Sequence, residues 1–148
     1  MSYVYSKSHN KTVLLYHMVF SIKYRRKVLS ESVTATFVRQ CIEMEDKYEF
    51  NFIEIGCDGD HIHLLVQSKP TRTVSDIVRT IKSITARNIF QYNPEVKKQL
   101  WGGEFWSDGY WAVTVGRTGT ENVIREYVKN QGYDKYDLLL KREFESDI

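Results

Sequence analysis

Two cysteines and two prolines among 148 residues leave no material for a disulfide framework or a proline-rich linker. Cys41 and Cys57 suit a reducing compartment, each as a small buried hydrophobe. Eight glycines without a fixed period exclude a collagen-like chain. Long apolar runs are missing too: the longest uncharged stretch near the N-terminus, residues 12–22, spans eleven residues and carries His17. That is too short to cross a bilayer, and no charged-then-apolar leader with a small-residue cleavage site precedes it. A cytoplasmic protein with no membrane partner is therefore expected. A Walker-type phosphate loop is also absent, so no nucleotide cofactor is expected, and neither repeats nor low-complexity blocks occur.

What is present fits one globular domain of 17.5 kDa, 42% hydrophobic and 27% charged, read as residues 1–148 with an acidic tail over 133–148. The net charge of +2 hides an asymmetry. Through Tyr133 there are 18 cations against 14 anions, and from Asp134 onward 3 against 5. The sharpest cluster is Lys23-Tyr24-Arg25-Arg26-Lys27. A charge run is often no more than a solvated face, but an interleaved aromatic favours nucleic acid, because bases stack on the ring while cations meet phosphates.

Hydrophobic periodicity predicts a strand over 13–23, with Tyr16, Met18, Phe20 and Ile22 on one face and Leu15, His17, Val19 and Ser21 on the other. A helix follows over 31–48 behind a Ser30 cap. The spacing then predicts a strand over 50–57 with Ile53, Ile55 and Cys57 on one face, an Asp58-Gly59 turn, and a returning strand over 61–67. A second helix over 73–92 is expected to stop at Asn93-Pro94, with Arg72, Arg79, Lys82 and Arg87 around its polar surface. An aromatic loop over 100–110 and a strand over 111–115 come next. A glycine-containing joint at 116–120 leads to a third helix over 121–130, capped by Thr120. This order predicts an α+β fold on the ferredoxin-like, or split βαβ, plan. It is a four-stranded antiparallel sheet with two helices on one face and an additional C-terminal helix.

Two constellations carry chemistry. In His61-Ile62-His63 the two imidazoles project from one face of a strand, opposite Ile62, Leu64 and Val66, which suits two ligands to one divalent ion. The plain alternative is a half-exposed pair of histidines on a sheet. Neither cysteine stands at zinc-finger spacing. Glu54, on the neighbouring strand, is expected to be solvated rather than to assist a metal. On the third helix, Tyr127 and Gln131 share a face, being four residues apart. A helical tyrosine is most often a packing residue. Together, however, the pieces suit attack by a tyrosine oxygen on a phosphodiester, with a divalent ion on two histidines and the Gln131 amide balancing developing charge.

Asp60-His61-Ile62-His63-Leu64-Leu65-Val66, Tyr16-His17 with Lys23-Tyr24-Arg25, and Tyr127-Val128-Lys129-Asn130-Gln131 together resemble the single-tyrosine HUH transposases of small bacterial insertion sequences. The resemblance runs from about residue 13 to 132. It implies His61, His63 and Gln131 as ligands to Mg2+ or Mn2+ and Tyr127 as the nucleophile. It further implies cleavage and religation of single-stranded DNA through a 5′-phosphotyrosine, by a homodimer that recognises hairpins at the element ends. The tyrosine helix would complete the partner's site across the 116–120 joint. Lys23, Tyr24, Arg25, Arg26, Lys27, Arg79, Lys82 and Arg87 are then the expected DNA contacts. Two alternatives stay open: an HUH nuclease that processes repeat palindromes or acts as a relaxase, and a non-catalytic nucleic-acid-binding module of the same plan.

Overall fold

A computed structural model of the chain describes residues 5–7 and 9–115. The expected third helix, Tyr127, Gln131, the 116–120 joint and the acidic tail lie outside the described residues. The chain opens on a short hairpin of β1 (Tyr5–Lys7) and β2 (Asn10–Thr12) that the sequence pattern did not signal. Then come β3 (Leu14–Ser21), α1 (Glu31–Lys47), β4 (Phe50–Asp58), β5 (His61–Ser68), α2 (Val74–Tyr92), α3 (Pro94–Gln99) and β6 (Trp111–Thr114).

The fold is α+β. Its main sheet has the strand order β4-β5-β3-β6, every neighbouring pair antiparallel. Alternation along each strand sorts side chains to two faces. Met18, Phe20 and Ile22 join Ile62, Leu64 and Val66 in one apolar core with Phe37 and Val38 of α1 and Ile77, Val78 and Ile81 of α2, so both long helices cover the same face. A smaller cluster of Leu15, Ile53 and Leu65 sits on the other face.

Local signals set the element ends. The Ser30 hydroxyl accepts from the Val33 N–H at 3.2 Å, and Glu31 lies in the first turn, where the helix dipole favours an anion. Ser30→Ala is expected to cost about 1 kcal/mol, read as a lower urea midpoint with an unchanged slope. Gly59, at φ +64°, supplies the left-handed turn between β4 and β5 that the Asp58-Gly59 pair predicts. Asn93 ends α2 as expected, but Pro94 does not leave the chain irregular. Its fixed φ suits the first position of a new helix, and α3 begins there.

One expectation is overturned on β4. A bulge between Phe52 and Glu54 opposes two residues to one on β5, with Phe52 paired to Val66 and Glu54 to Leu65. Ile53 therefore leaves the face of Ile55 and Cys57 and joins Leu15 and Leu65 on the opposite side. Glu54 points to that side too, and it is buried, only 2% exposed, not solvated as expected.

Candidate active site

The two histidines of β5 project from the face opposite the long helices, as the strand alternation predicts, with ring centroids 4.9 Å apart and planes at 74°. Their surroundings differ. His61 is half-buried at the turn, and its Nδ1 lies 2.7 Å from Asp60 Oδ1. Asp60 also accepts from Arg25 Nε at 3.2 Å and Nη2 at 3.4 Å. The hydrogen bond from His61 and then the Arg25 guanidinium hold the Asp60 carboxyl below its ordinary range. An ionised carboxylate only accepts, so Nδ1 of His61 carries the proton and donates. In the neutral ring that places the lone pair on Nε2.

His63 is buried, and its Nδ1 lies 3.3 Å from Nε2 of His17 on the neighbouring strand β3. The rings stack, 5.4 Å between centroids and 17° between planes. Trp111 of β6 packs its ring edge-on against His17, with centroids 5.2 Å apart. Burial lowers both His17 and His63 to about 4, helped at His63 by the nearby His61 and His17, so both are neutral near pH 7. A neutral imidazole whose Nδ1 donates offers Nε2 to a metal, which at His63 requires Nδ1 to donate to Nε2 of His17. Three neighbouring strands thus build the site: β5 brings the histidine pair, β3 steadies one of them, and β6 closes behind.

His17 is the functional residue that sequence reasoning left without a role. The alternation places it on the correct face. Only the β3–β5 register, with His17 opposite Leu65 and Val19 opposite His63, shows that it reaches the second histidine.

A pH prediction arises from the same pair. The unfolded chain protonates both histidines below about 6.5, while the native pair resists until about 4. Their contribution to stability is therefore complete above about pH 6.5 and is lost as pH falls toward 4. The expected loss is on the order of several kcal/mol for the two rings together, measured by urea unfolding across that window in chelator-treated protein. A flat profile would contradict the burial of the pair. His17→Phe is expected to make the decline shallower.

The expected DNA-contacting residues divide into two groups. Tyr24, Arg25, Arg26 and Lys27 are exposed and Lys23 half-buried, on the turn after β3, joined to the histidines through the Arg25–Asp60–His61 chain. Arg79, Lys82 and Arg87 lie on α2, which covers the other sheet face, and are not brought to the histidines. Arg79 pairs with Asp76 at 3.4 Å, and Arg87 lines a cleft between α1 and α2. Lys82 donates to the carbonyls of Ser107 (3.0 Å) and Gly109, fastening the aromatic loop to α2. Among the described residues no three histidine, cysteine, aspartate or glutamate side chains converge on one point that could hold a metal ion. Nor is any helix there long and apolar enough to cross a membrane.

The family description "Transposase IS200 like" matches residues 10–131. ISDra2 transposase TnpA of Deinococcus radiodurans is 31% identical over 122 residues, covering 82% of this chain and 86% of that protein. The transposase for insertion sequence element IS200 from Salmonella typhimurium is 28% identical over 129 residues, covering 85% and 82%. Among solved structures, a transposase candidate from Deinococcus radiodurans superposes with a TM-score of 0.68 at 26% identity, covering 88% of this chain and all of that one. A REP-associated tyrosine transposase bound to a REP hairpin shares the fold, with a TM-score of 0.57 at 14% identity over 88% of this chain and 77% of its own.

Proposed function

The chain belongs to the IS200-like transposase family and is an enzyme of DNA transposition; from that premise we propose that it cuts and rejoins single-stranded DNA through a covalent 5′-phosphotyrosine. The observation that carries this reading is the state of the histidine pair. Both rings have Nδ1 engaged, His61 with Asp60 and His63 with His17, and with His63 Nδ1 as the donor two Nε2 atoms face a metal from one sheet face. The reading places this site on a ferredoxin-like, split βαβ scaffold, which the β4-β5-β3-β6 order supports.

The donor set fits a divalent ion that also takes oxygen ligands, with His61 and His63 supplying nitrogen and Gln131 an amide oxygen. Bound there, Mg2+ or Mn2+ would polarise a nonbridging phosphate oxygen and stabilise the departing sugar oxygen. Asp60 holds the His61 ring in the tautomer that frees Nε2, and His17 would do the same for His63 by accepting from its Nδ1. Tyr127 supplies the attacking oxygen. Its bond to phosphorus forms as the P–O3′ bond breaks, the phenol proton passes to solvent, and the departing 3′ oxygen takes a proton from solvent to become a hydroxyl. The phosphotyrosine keeps the energy of the broken linkage, so a 3′ hydroxyl can reverse the step and rejoin strands without a nucleotide cofactor.

In this reading the protein works in the cytoplasm as a homodimer on DNA hairpins at the ends of its element, the tyrosine helix completing the partner's site. The test incubates the protein with single-stranded ends of its own element and Mn2+ or Mg2+ and looks for a denaturant-resistant protein–DNA adduct. Metal-dependent adduct is the expected result. Hairpin binding without adduct under either metal would replace the transferase reading with the non-catalytic module.

A further inference from the structure

We propose that Trp101, Tyr24 and Arg26 form a stacking platform for an unpaired base of the DNA strand entering the histidine site; this rests on the transposase reading above. Trp101 and Tyr24 are 70% and 56% exposed, among the largest apolar side chains that the described fold leaves in solvent. Their ring centroids stand 6.3 Å apart, planes tilted by 59°. The Arg26 guanidinium lies 5.6 Å from the Trp101 ring, and Lys23 Nζ 5.7 Å from the Tyr24 ring.

The arrangement is held in place rather than left over. The Lys23 N–H donates to the Phe105 carbonyl at 2.9 Å and Ile22 bridges to Trp106, which ties the turn after β3 to the aromatic loop. Leu100 and Phe105 on either side of Trp101 are buried, anchoring a loop whose tip turns at Gly102 and Gly103, both at positive φ. Tyr24 and Arg25 adopt left-handed φ of 60° and 54°, a conformation non-glycine residues rarely take, and here two do so in succession. The result sends Tyr24 toward Trp101 while Arg25 turns back to Asp60, which bonds His61. The platform is thus joined to the site by consecutive residues of one turn.

The chemistry selects the occupant. An aromatic pair flanked by cations recognises a flat π-face next to a phosphate; Arg25 and Arg26 are exposed on the same turn, and exposed Lys97 reaches Gly103 of the Trp101 loop. The nearby carboxylate of Glu104 is paired with Lys23 at 2.8 Å. In a duplex the base faces are covered by their neighbours, so such a platform favours a single strand over a hairpin stem.

Fluorescence anisotropy with labelled (dT)12 and with a DNA duplex of equal phosphate number tests this on the full chain. Trp101→Ala is expected to weaken (dT)12 binding about 5- to 30-fold with the salt slope unchanged, because it removes stacking and no phosphate contact. Duplex affinity is expected to stay within about twofold, and Trp101→Phe to recover most of the loss. An equal loss on both probes, or no loss on (dT)12, overturns the platform. So does a change of sedimentation coefficient in Trp101→Ala, which would make the patch a contact between copies. The adduct assay on the parent chain separates the two claims. Adduct formation with indifferent Trp101 variants sinks only the platform, whereas absence of adduct in the parent sinks the covalent strand-transfer reading itself.

Discussion

Tyr127→Phe is expected to abolish the covalent protein–DNA adduct while hairpin binding stays within about twofold of the parent. The substitution removes one oxygen and keeps the ring, so its effect reports on bond formation rather than on packing. Loss of a nucleophile ordinarily costs four or more orders of magnitude, since the remaining site can bind and polarise the phosphate but has nothing to attach to it. Water in place of the tyrosine would yield a free 5′ phosphate. That product has no stored linkage, and rejoining would cease along with adduct formation. The measurement is a denaturing gel of 5′-labelled and 3′-labelled strands run in parallel, which separates adduct from simple hydrolysis. A persistent adduct in Tyr127→Phe would remove this residue as the nucleophile. Relaxase-like or palindrome-processing nucleases predict the same loss, so the competing HUH readings are separated by substrate, not by this variant.

The parts of the fold and site that were legible in sequence are those fixed by period and by turn chemistry. Alternation in His61-Ile62-His63 places both imidazoles away from the long helices, and Asp58-Gly59 marks the turn that delivers them. Ser30 marks the start of α1 because a side-chain oxygen is needed where backbone N–H groups lack partners. What escaped depends on register between strands distant in sequence. The bulge at Phe52/Glu54 adds one residue to one strand, and no local propensity announces it, yet it reverses Ile53 and helps bury Glu54. His17 and His63 are 46 residues apart, and their contact follows from the β3–β5 pairing alone. Trp101 reads as one more aromatic in a loop until the backbone bond from Lys23 to Phe105 ties that loop to the turn carrying Tyr24.

His63→Ala and His17→Gln are expected to fail in different ways, and the difference tests how the metal site is made. Alanine at position 63 removes a proposed ligand, so metal-dependent cleavage should fall by at least about 100-fold and remain low at any Mn2+ concentration. Glutamine at position 17 leaves both ligands but disturbs the bond that fixes the tautomer of His63. Lone pairs on Nε2 of His63 require its Nδ1 to carry the proton and donate to His17, and that choice is one of two open to neutral rings. A side-chain amide can accept the same bond only if its oxygen reaches the imidazole, so partial function is expected. Affinity for Mn2+ should weaken about 10- to 100-fold, with cleavage recovering as Mn2+ is raised. Free-Mn2+ titration followed by electron paramagnetic resonance reads the binding apart from the chemistry. Should His63→Ala keep its cleavage, the metal role of the pair is wrong. Should His17→Gln lose cleavage without losing Mn2+ affinity, His17 acts on the DNA or on Tyr127 instead of through His63.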